Sequence, residues 1–168
     1  MIDTEVSTAS EWPADTDWQA LVSNAVTAAL GVSPQGSLVT APFAVSVSVH
    51  LGSDAEVQAL NRDYRDKDQP TNVLSFPMVD LDLLPALANT DAKNGGGEVL
   101  LGDIMLAYET CAREAADKSI ALADHAVHLT IHGTLHLVGY DHGNDAEAEH
   151  MEALEVKALA KLGIDNPY

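Results

Sequence analysis

The sequence predicts an α+β domain in which a small sheet packs on a central helix. Segments with the two-residue period of strands and segments with the apolar spacing of helices are interspersed, without strict alternation. Residues 121–138 have helical character with apolar side chains on all sides, so this helix must be largely buried. The chain has 168 residues and is 46% hydrophobic, which is enough for one compact domain with a core. We therefore expect residues 1–168 to form a single domain.

The first part of the chain is predicted to form strands and helices in turn. Residues 1–15 are polar and acidic, with a short strand near their start, and we expect them to be mobile or weakly paired. A helix follows, because apolar residues recur at helical spacing up to Gly31. Residues 43–49 alternate between larger apolar and small side chains, as in a strand covered on one face. A capping box at residues 53–56 then opens a helix that ends near residue 64.

The second part contains two further strands and three further helices. Residues 72–76 are predicted to form a short strand before a proline. Residues 79–97 form a long connection with scattered aspartates and three consecutive glycines, so we expect a flexible insertion. Residues 99–106 are apolar on both faces apart from a glycine and an aspartate, which predicts an interior strand followed directly by a helix. Beyond the apolar helix 121–138, a last amphipathic helix is expected at about 145–162.

The charge of the chain restricts how it can bind polyanions. A formal net charge of −18 argues against broad adhesion to nucleic acid or anionic membrane, because lysine and arginine are the residues that hold phosphates. Three of the eight basic residues, Arg62, Arg65 and Lys67, lie within six positions of one another. They form either a local binding patch for a polyanionic substrate or a solvated helix end whose charge is balanced by neighbouring aspartates.

The sequence is that expected of a cytoplasmic protein. It contains no apolar run near the length that a bilayer requires, and its start lacks the positive and apolar segments of a signal peptide. The single cysteine, Cys111, can form no internal disulfide, which fits a reducing compartment. We expect it to be a small buried residue without a chemical role.

A group of three histidines gives the strongest indication of function. His132 and His136 are four residues apart and therefore project from one face of a helix, and His142 follows beyond Gly139. Neutral imidazoles suit zinc, and three protein ligands leave the fourth tetrahedral position free for water. This pattern predicts a catalytic zinc site. A straight helix could instead offer His128 as the third ligand, but successive four-residue steps rise about 6 Å each, too far for the outer two side chains to meet one ion.

The same spacing occurs in the long zinc-protease signature His-Glu-x-x-His-x-x-Gly-x-x-His. Gly133 stands where that signature has its general-base glutamate. The ligands of a protease are therefore present without its base, and a zinc metalloprotease would need another carboxylate in that role.

Three blocks of sequence are distinctive when taken together. They are residues 64–77 (Tyr-Arg-Asp-Lys-Asp-Gln-Pro-Thr-Asn-Val-Leu-Ser-Phe-Pro), 101–104 (Leu-Gly-Asp-Ile) and 132–142 (His-Gly-Thr-Leu-His-Leu-Val-Gly-Tyr-Asp-His), with Pro167-Tyr168 at the end. The combination resembles the YbeY family of bacterial single-strand-specific endoribonucleases of ribosomal RNA maturation. The resemblance implies a mixed four-stranded sheet with about five helices. It also implies that His132, His136 and His142 bind one zinc ion and that Arg65 is essential for activity.

By this resemblance the chain is a zinc-dependent endoribonuclease that acts in 3′ end maturation of 16S ribosomal RNA and in ribosome quality control. Its expected partners are single-stranded RNA, the ribosomal RNA precursor, and the small ribosomal subunit with its proteins, but neither DNA nor a membrane. A noncatalytic ribosome-assembly factor with a structural metal is the alternative, since a sequence cannot show turnover. An open coordination position beside Arg65 would favour the enzyme, whereas a fourth protein ligand would favour the structural metal.

Four further residues are candidates for supporting roles. Asp103 or Asp141 could accept a hydrogen bond from a metal-binding histidine, although a helix cap or strand-end turn explains each equally well. His128 is expected to support the ligands or to pack near them, and Ser75 is expected to line the cleft. Arg65 could clamp the nonbridging oxygens of a scissile phosphate, for which a planar two-pronged donor is suited.

Overall fold

The computed structural model describes residues 1–83 and 98–168. These residues form four strands, five α-helices and two short 3₁₀ helices, Gly36–Thr40 and Leu81–Leu83. In chain order the main elements are β1 (Ile2–Thr8), α1 (Trp18–Val32), β2 (Ala44–Gly52), α2 (Asp54–Arg65), β3 (Val73–Pro77), β4 (Glu98–Ala107), α3 (Tyr108–Asp117), α4 (Leu122–Leu137) and α5 (Asp145–Lys161). The predicted α+β class is confirmed.

The four strands form one mixed sheet in the order β1-β2-β4-β3. Strands β1, β2 and β4 are parallel, and β3 pairs antiparallel with β4. The register between β2 and β4 shifts at Ser46 and Val47, which pair with Leu100 and Gly102, so Leu101 is an extra residue at a bulge. The mixed four-stranded sheet implied by the family resemblance is thus present.

The amino-terminal segment is more firmly attached than the sequence suggested. Strand β1 pairs with β2 along seven residues, from Ile2 beside Val45 to Thr8 beside Leu51. Trp12 is 2% exposed, and its Nε1 donates to the Gly52 carbonyl over 2.9 Å. The expectation that residues 1–15 are weakly paired therefore does not hold, because backbone pairing at a sheet edge does not depend on apolar side chains.

Helix α4 is the central element, as its apolar sequence predicted. It packs against α1, α3 and α5 and against strands β3 and β4. It packs tightly on the sheet at Gly133, where a Cβ atom would lie 3.0 Å from both the Ile104 Cγ2 and the Ser75 Oγ. Helix α2 packs on the other face of the sheet, where Val57 contacts Leu74 and Ala107. Helix α4 therefore packs on one face of the sheet, and α2 packs on one end of the opposite face.

The predicted insertion lies mostly beyond the structural description. Of residues 79–97, the segment 84–97 is outside the described residues, and the 3₁₀ helix Leu81–Leu83 precedes it. Cys111 is fully buried on α3, as expected for a small apolar residue. No helix among the described residues has the length and apolar character needed to cross a membrane.

Candidate metal centre

The three predicted metal ligands converge at the carboxyl end of α4. His132 and His136 lie one helical turn apart, and their Nε2 atoms are 3.0 Å apart. The chain then reverses at Gly139, whose φ of 100° is in the left-handed region that favours glycine, and this turn returns His142 to the other two imidazoles. One ligand atom from each histidine lies within 4.8 Å of the other two.

Hydrogen bonds determine which nitrogen of two of these histidines faces the others. The Nδ1 of His136 donates to the Tyr140 carbonyl over 2.8 Å, and the Nδ1 of His132 donates to the Glu155 Oε2 over 3.3 Å. Because both acceptors lack hydrogens to give, the neutral form of each ring carries its free lone pair on Nε2. In this tautomer both Nε2 atoms, which are 3.0 Å apart, are available to one cation.

This donor set fits a transition metal. Nitrogens 2.0–2.1 Å from one tetrahedral zinc ion are separated by about 3.3 Å, close to the separation of the two Nε2 atoms. Burial and the neighbouring His132 imidazole lower the pKa of His136 to about 4, so this ring is neutral at pH 7 and can bind a metal without first losing a proton. Among the described residues, no cysteine, aspartate, glutamate or fourth histidine joins the three ligands.

Glu155 is ionised although it is buried between α4 and α5. Burial raises the pKa of its carboxyl group, but hydrogen bonds and charge interactions with His128 and His132 outweigh this effect and lower the pKa to about 2. The carboxylate is 1% exposed. It is therefore a permanent hydrogen-bond acceptor for the His132 ring.

A cleft of about 580 Å³ opens beside the histidines. It is lined by residues of the α2 end, of the connection to β3, of β3 itself and of the turn after α4, namely Asn61, Arg65, Lys67, Gln69, Thr71, Asn72, Val73, Leu74, Ser75, Pro77, His132, His136, Gly139, Tyr140, Asp141 and His142. The Arg65 Nη2 donates to the Ser75 carbonyl over 2.8 Å, and the guanidinium carbon lies 5.5 Å from the Phe76 ring centre. Arg65 is thereby held at the cleft wall, and within the described part of the chain this is its one side-chain hydrogen bond.

The basic cluster of the sequence divides into two parts. Arg65 and Lys67 line the cleft, whereas Arg62 does not and instead pairs with Asp63 over 3.2 Å. Both interpretations of the cluster therefore apply, each to different residues: two cations face the candidate site, and one belongs to a solvated helix surface.

The structure also places the candidate supporting residues. Ser75 lies in the cleft wall, and its hydroxyl donates to the Gly133 carbonyl over 3.2 Å. The Asp141 Oδ1 accepts from the backbone N–H of His142 over 2.8 Å and lies 3.6 Å from the His142 Nδ1. Asp141 is thus a turn residue beside a ligand. His128 stands apart from the ligand group, and its Nε2 contacts the Glu155 Oε1 over 2.6 Å.

Asp103 does not support the histidines. Because side chains alternate along β4, the neighbouring positions Gly102 and Ile104 face α4 and Asp103 faces the opposite side of the sheet. There it lines a separate cavity of about 650 Å³ with residues such as Phe76 and Met105. The suggestion that Asp103 orients a metal-binding histidine is therefore corrected.

Sequence reasoning missed Glu155, although the sequence carried a signal for it. Residues Met151, Ala158 and Leu159 form the buried stripe of α5, and Glu155 lies on the same stripe. A carboxylate at helical spacing within an apolar stripe must be paired inside the protein, because an unpaired buried charge is costly. The pattern predicts a buried partner, and here the partners are histidines.

Comparison with known proteins gives a consistent family. The family model described as Endoribonuclease YbeY matches residues 5–163. Proteins named Endoribonuclease YbeY from Sphingopyxis alaskensis and Rhizorhabdus wittichii are 57% and 55% identical over the whole chain and are covered over 98% and 97% of their own lengths. The solution structure of TM1509 from Thermotoga maritima has the same fold, with a TM-score of 0.56 at 21% identity, over 97% of this chain and 92% of that one. The chain therefore belongs to the YbeY endoribonuclease family.

Proposed function

We propose that this protein is a zinc-dependent, single-strand-specific endoribonuclease of the cytoplasm. Its proposed substrate is the precursor of 16S ribosomal RNA, in 3′ end maturation and ribosome quality control together with the small subunit and its proteins. The observation that carries the proposal is the convergence of three histidine donors beside Arg65 in one cleft. The names of the relatives that match the whole chain support the same reaction class.

The proposed roles follow from the positions of the side chains. His132, His136 and His142 would hold the metal, and zinc when bound supplies a Lewis acid that polarises a phosphoryl oxygen and acidifies water. Arg65 presents a planar guanidinium whose remaining N–H groups can bind two nonbridging oxygens of a phosphate. Contacts with the Ser75 carbonyl and the Phe76 ring hold this guanidinium in place before substrate arrives. Lys67 adds a second positive charge to the same cleft.

The shape of the site disfavours a protease. A side chain at position 133 would point toward the sheet, against Ile104 and Ser75. A glutamate base at that position would therefore overpack this contact. The nearest buried carboxylate, Glu155, is engaged by His128 and His132. A structural metal is disfavoured because, in the part of the chain that the structure describes, the ligand group has three members beside an open cleft.

Substitution of Arg65 tests the proposed function most directly. In Arg65→Ala, cleavage of single-stranded RNA should fall by about 10²-fold or more, because a preorganised donor to the reacting phosphate is lost. Arg65→Lys should recover little, since a point charge does not reproduce a two-pronged contact. The measurement is the cleavage rate of an RNA spanning the 16S 3′ end, either as a single strand or annealed to its complement.

The matched control is Arg62→Ala. Arg62 lies three residues earlier on α2, carries the same charge and stands outside the cleft, so its removal should leave the rate unchanged. Metal content and circular dichroism should be equal in all variants. Full activity in a folded, metal-loaded Arg65→Ala protein would contradict the role of Arg65. If the unmodified protein cut no RNA, the noncatalytic assembly factor would be favoured.

A further inference from the structure

The buried carboxylate of Glu155 accepts hydrogen bonds from three side chains. Its Oε1 is 2.6 Å from the His128 Nε2 and 2.9 Å from the Tyr168 hydroxyl, and its Oε2 is 3.3 Å from the His132 Nδ1. These contacts join α4, α5 and residue 168. Both carboxylate oxygens are therefore oriented, one by two donors and the other toward a single ring nitrogen.

Burial of this charge is not explained by stability alone. A buried ion pair often contributes no more than well-packed apolar residues of similar volume, and the neighbours of Glu155 on the same face of α5 are apolar. The contact with the His132 Nδ1 differs from the other contacts of Glu155, because the Nε2 of the same ring faces the cleft beside His136. The carboxylate thus acts on a ring whose other side is a candidate metal ligand.

The three histidines are held in different ways. The Nδ1 of His136 donates to a backbone carbonyl, which no substitution can remove. His142 is 54% exposed, and its nearest carboxylate, Asp141, is 72% exposed at 3.6 Å, beyond hydrogen-bond distance. Among the described residues, Glu155 is the one carboxylate within hydrogen-bond distance of a ligand imidazole.

We propose that Glu155 is a positioning residue for the metal centre. It fixes the His132 tautomer with the proton on Nδ1, so that Nε2 presents its lone pair to the metal, and its negative charge strengthens that nitrogen as a donor. His128 and Tyr168 hold the carboxylate in the orientation that His132 requires. The inference rests on the metal site of the proposed function but assigns Glu155 no contact with RNA.

The test is metal affinity, measured without RNA. In Glu155→Gln, which keeps the side-chain shape and removes the charge, zinc should bind about 10- to 100-fold more weakly in competition with a chromogenic chelator. The matched control is Glu149→Gln, an exposed position on the same helix with the same change of charge, and its affinity should stay within about twofold of the unmodified protein. A cobalt-loaded sample should show an altered visible spectrum in Glu155→Gln alone.

Other outcomes separate positioning from a purely structural role. If Glu155 only stabilised the fold, Glu155→Gln would lower the Tm of the metal-free protein while leaving the metal affinity unchanged, and this result would overturn the proposal. Tyr168→Phe is the second variant, for use if Glu155→Gln does not fold. It removes one hydrogen-bond donor to the Glu155 carboxylate, and because Tyr168 is 60% exposed the change should leave the fold intact. Its zinc affinity should fall severalfold, and an unchanged value would also overturn the proposal.

Failure of this inference is distinguishable from failure of the proposed function. A protein that binds zinc in a manner dependent on Glu155 but cuts no RNA would refute only the nuclease. A protein that cuts RNA and whose Glu155→Gln form binds zinc normally would refute only the positioning role.

Discussion

Gly133 affects both the packing of α4 on the sheet and the chemistry that the histidine pattern allows. It occupies the position of the protease glutamate in the histidine pattern, and it is also a point where α4 packs tightly on the sheet. A side chain at this position would separate α4 from β3 and β4. The same packing contact therefore accounts for both the missing glutamate base and the close approach of α4 to the sheet. Sequence comparison with the protease signature revealed the missing base, but only the structure reveals why glycine is required.

Replacement of Gly133 by alanine should destabilise the protein. The new Cβ would lie 3.0 Å from the Ile104 Cγ2 and the Ser75 Oγ, closer than ordinary contact, in a region where the neighbours are buried. The expected loss is about 1–3 kcal/mol in the free energy of unfolding, as for other overpacked cores. Urea denaturation followed by circular dichroism measures this change.

Gly31→Ala is the control for that substitution. Gly31 also lies in a helix, but nothing stands within 4 Å of its Cβ position, so alanine should be neutral or stabilise by up to about 1 kcal/mol through helix propensity. Equal stabilities of the two variants would mean that α4 can shift away from the sheet without cost.

At the scale of secondary structure, the strongest periodic segments were predicted best. Helices α1, α2, α4 and α5 and strands β2, β3 and β4 lie within a few residues of their predicted bounds, because each has a clear apolar period or a cap. Strand β1 was underestimated, since its side chains are mostly polar or acidic and its stability comes from backbone pairing with β2. Such pairing involves residues far apart in sequence and leaves no periodic signal.

Helix α4 would link a bound metal to the stability of the domain. It carries two of the candidate ligands and contributes Leu129 and Leu137 to one core cluster and Ile131 and Leu135 to another. A metal that binds the folded state and not the unfolded chain stabilises by mass action. Removal of the metal with a chelator should therefore lower the Tm of the unmodified protein by several degrees, as measured by differential scanning calorimetry.

His136→Ala provides the control for the chelator experiment. This variant should contain little metal by elemental analysis, because the cluster loses one of its three ligands, and its Tm should not respond to the chelator. A shift of equal size in both proteins would show that the chelator acts elsewhere. Equal metal content in both would remove the basis for the metal centre.

For the whole molecule, the sequence predicted the fold class and the three converging histidines but not their surroundings. The spacing of the candidate ligands is visible within a short stretch of sequence, because two histidines share a helix face and the third follows the chain reversal after the helix. The partners of the ligands are distant, because Glu155 reaches His132 across 23 positions. Asp103 was misplaced because its face depends on the alternation of a strand with a bulge, which the apolar sequence of β4 does not reveal.

The distribution of charge over the whole molecule predicts how RNA binding depends on salt. The net charge is −18, and we propose that attraction to RNA comes from the cleft, where Arg65 and Lys67 are the basic residues of the described lining. For single strands, each neutralised phosphate contributes about −0.7 to the slope of log K against log salt concentration. Lys67→Ala should therefore make the slope shallower by about 0.7.

The slopes are best compared by fluorescence anisotropy of a labelled single strand, with the metal-loaded protein and several potassium chloride concentrations. Arg62→Ala is again the control, because Arg62 is outside the cleft and its loss should leave the slope unchanged. If Arg62→Ala changed the slope as much as Lys67→Ala, the phosphates would follow the exposed surface of α2 instead of the cleft. A shallower slope in Lys67→Ala alone would support the proposal that RNA binds in the cleft, where these cations adjoin the candidate metal ligands.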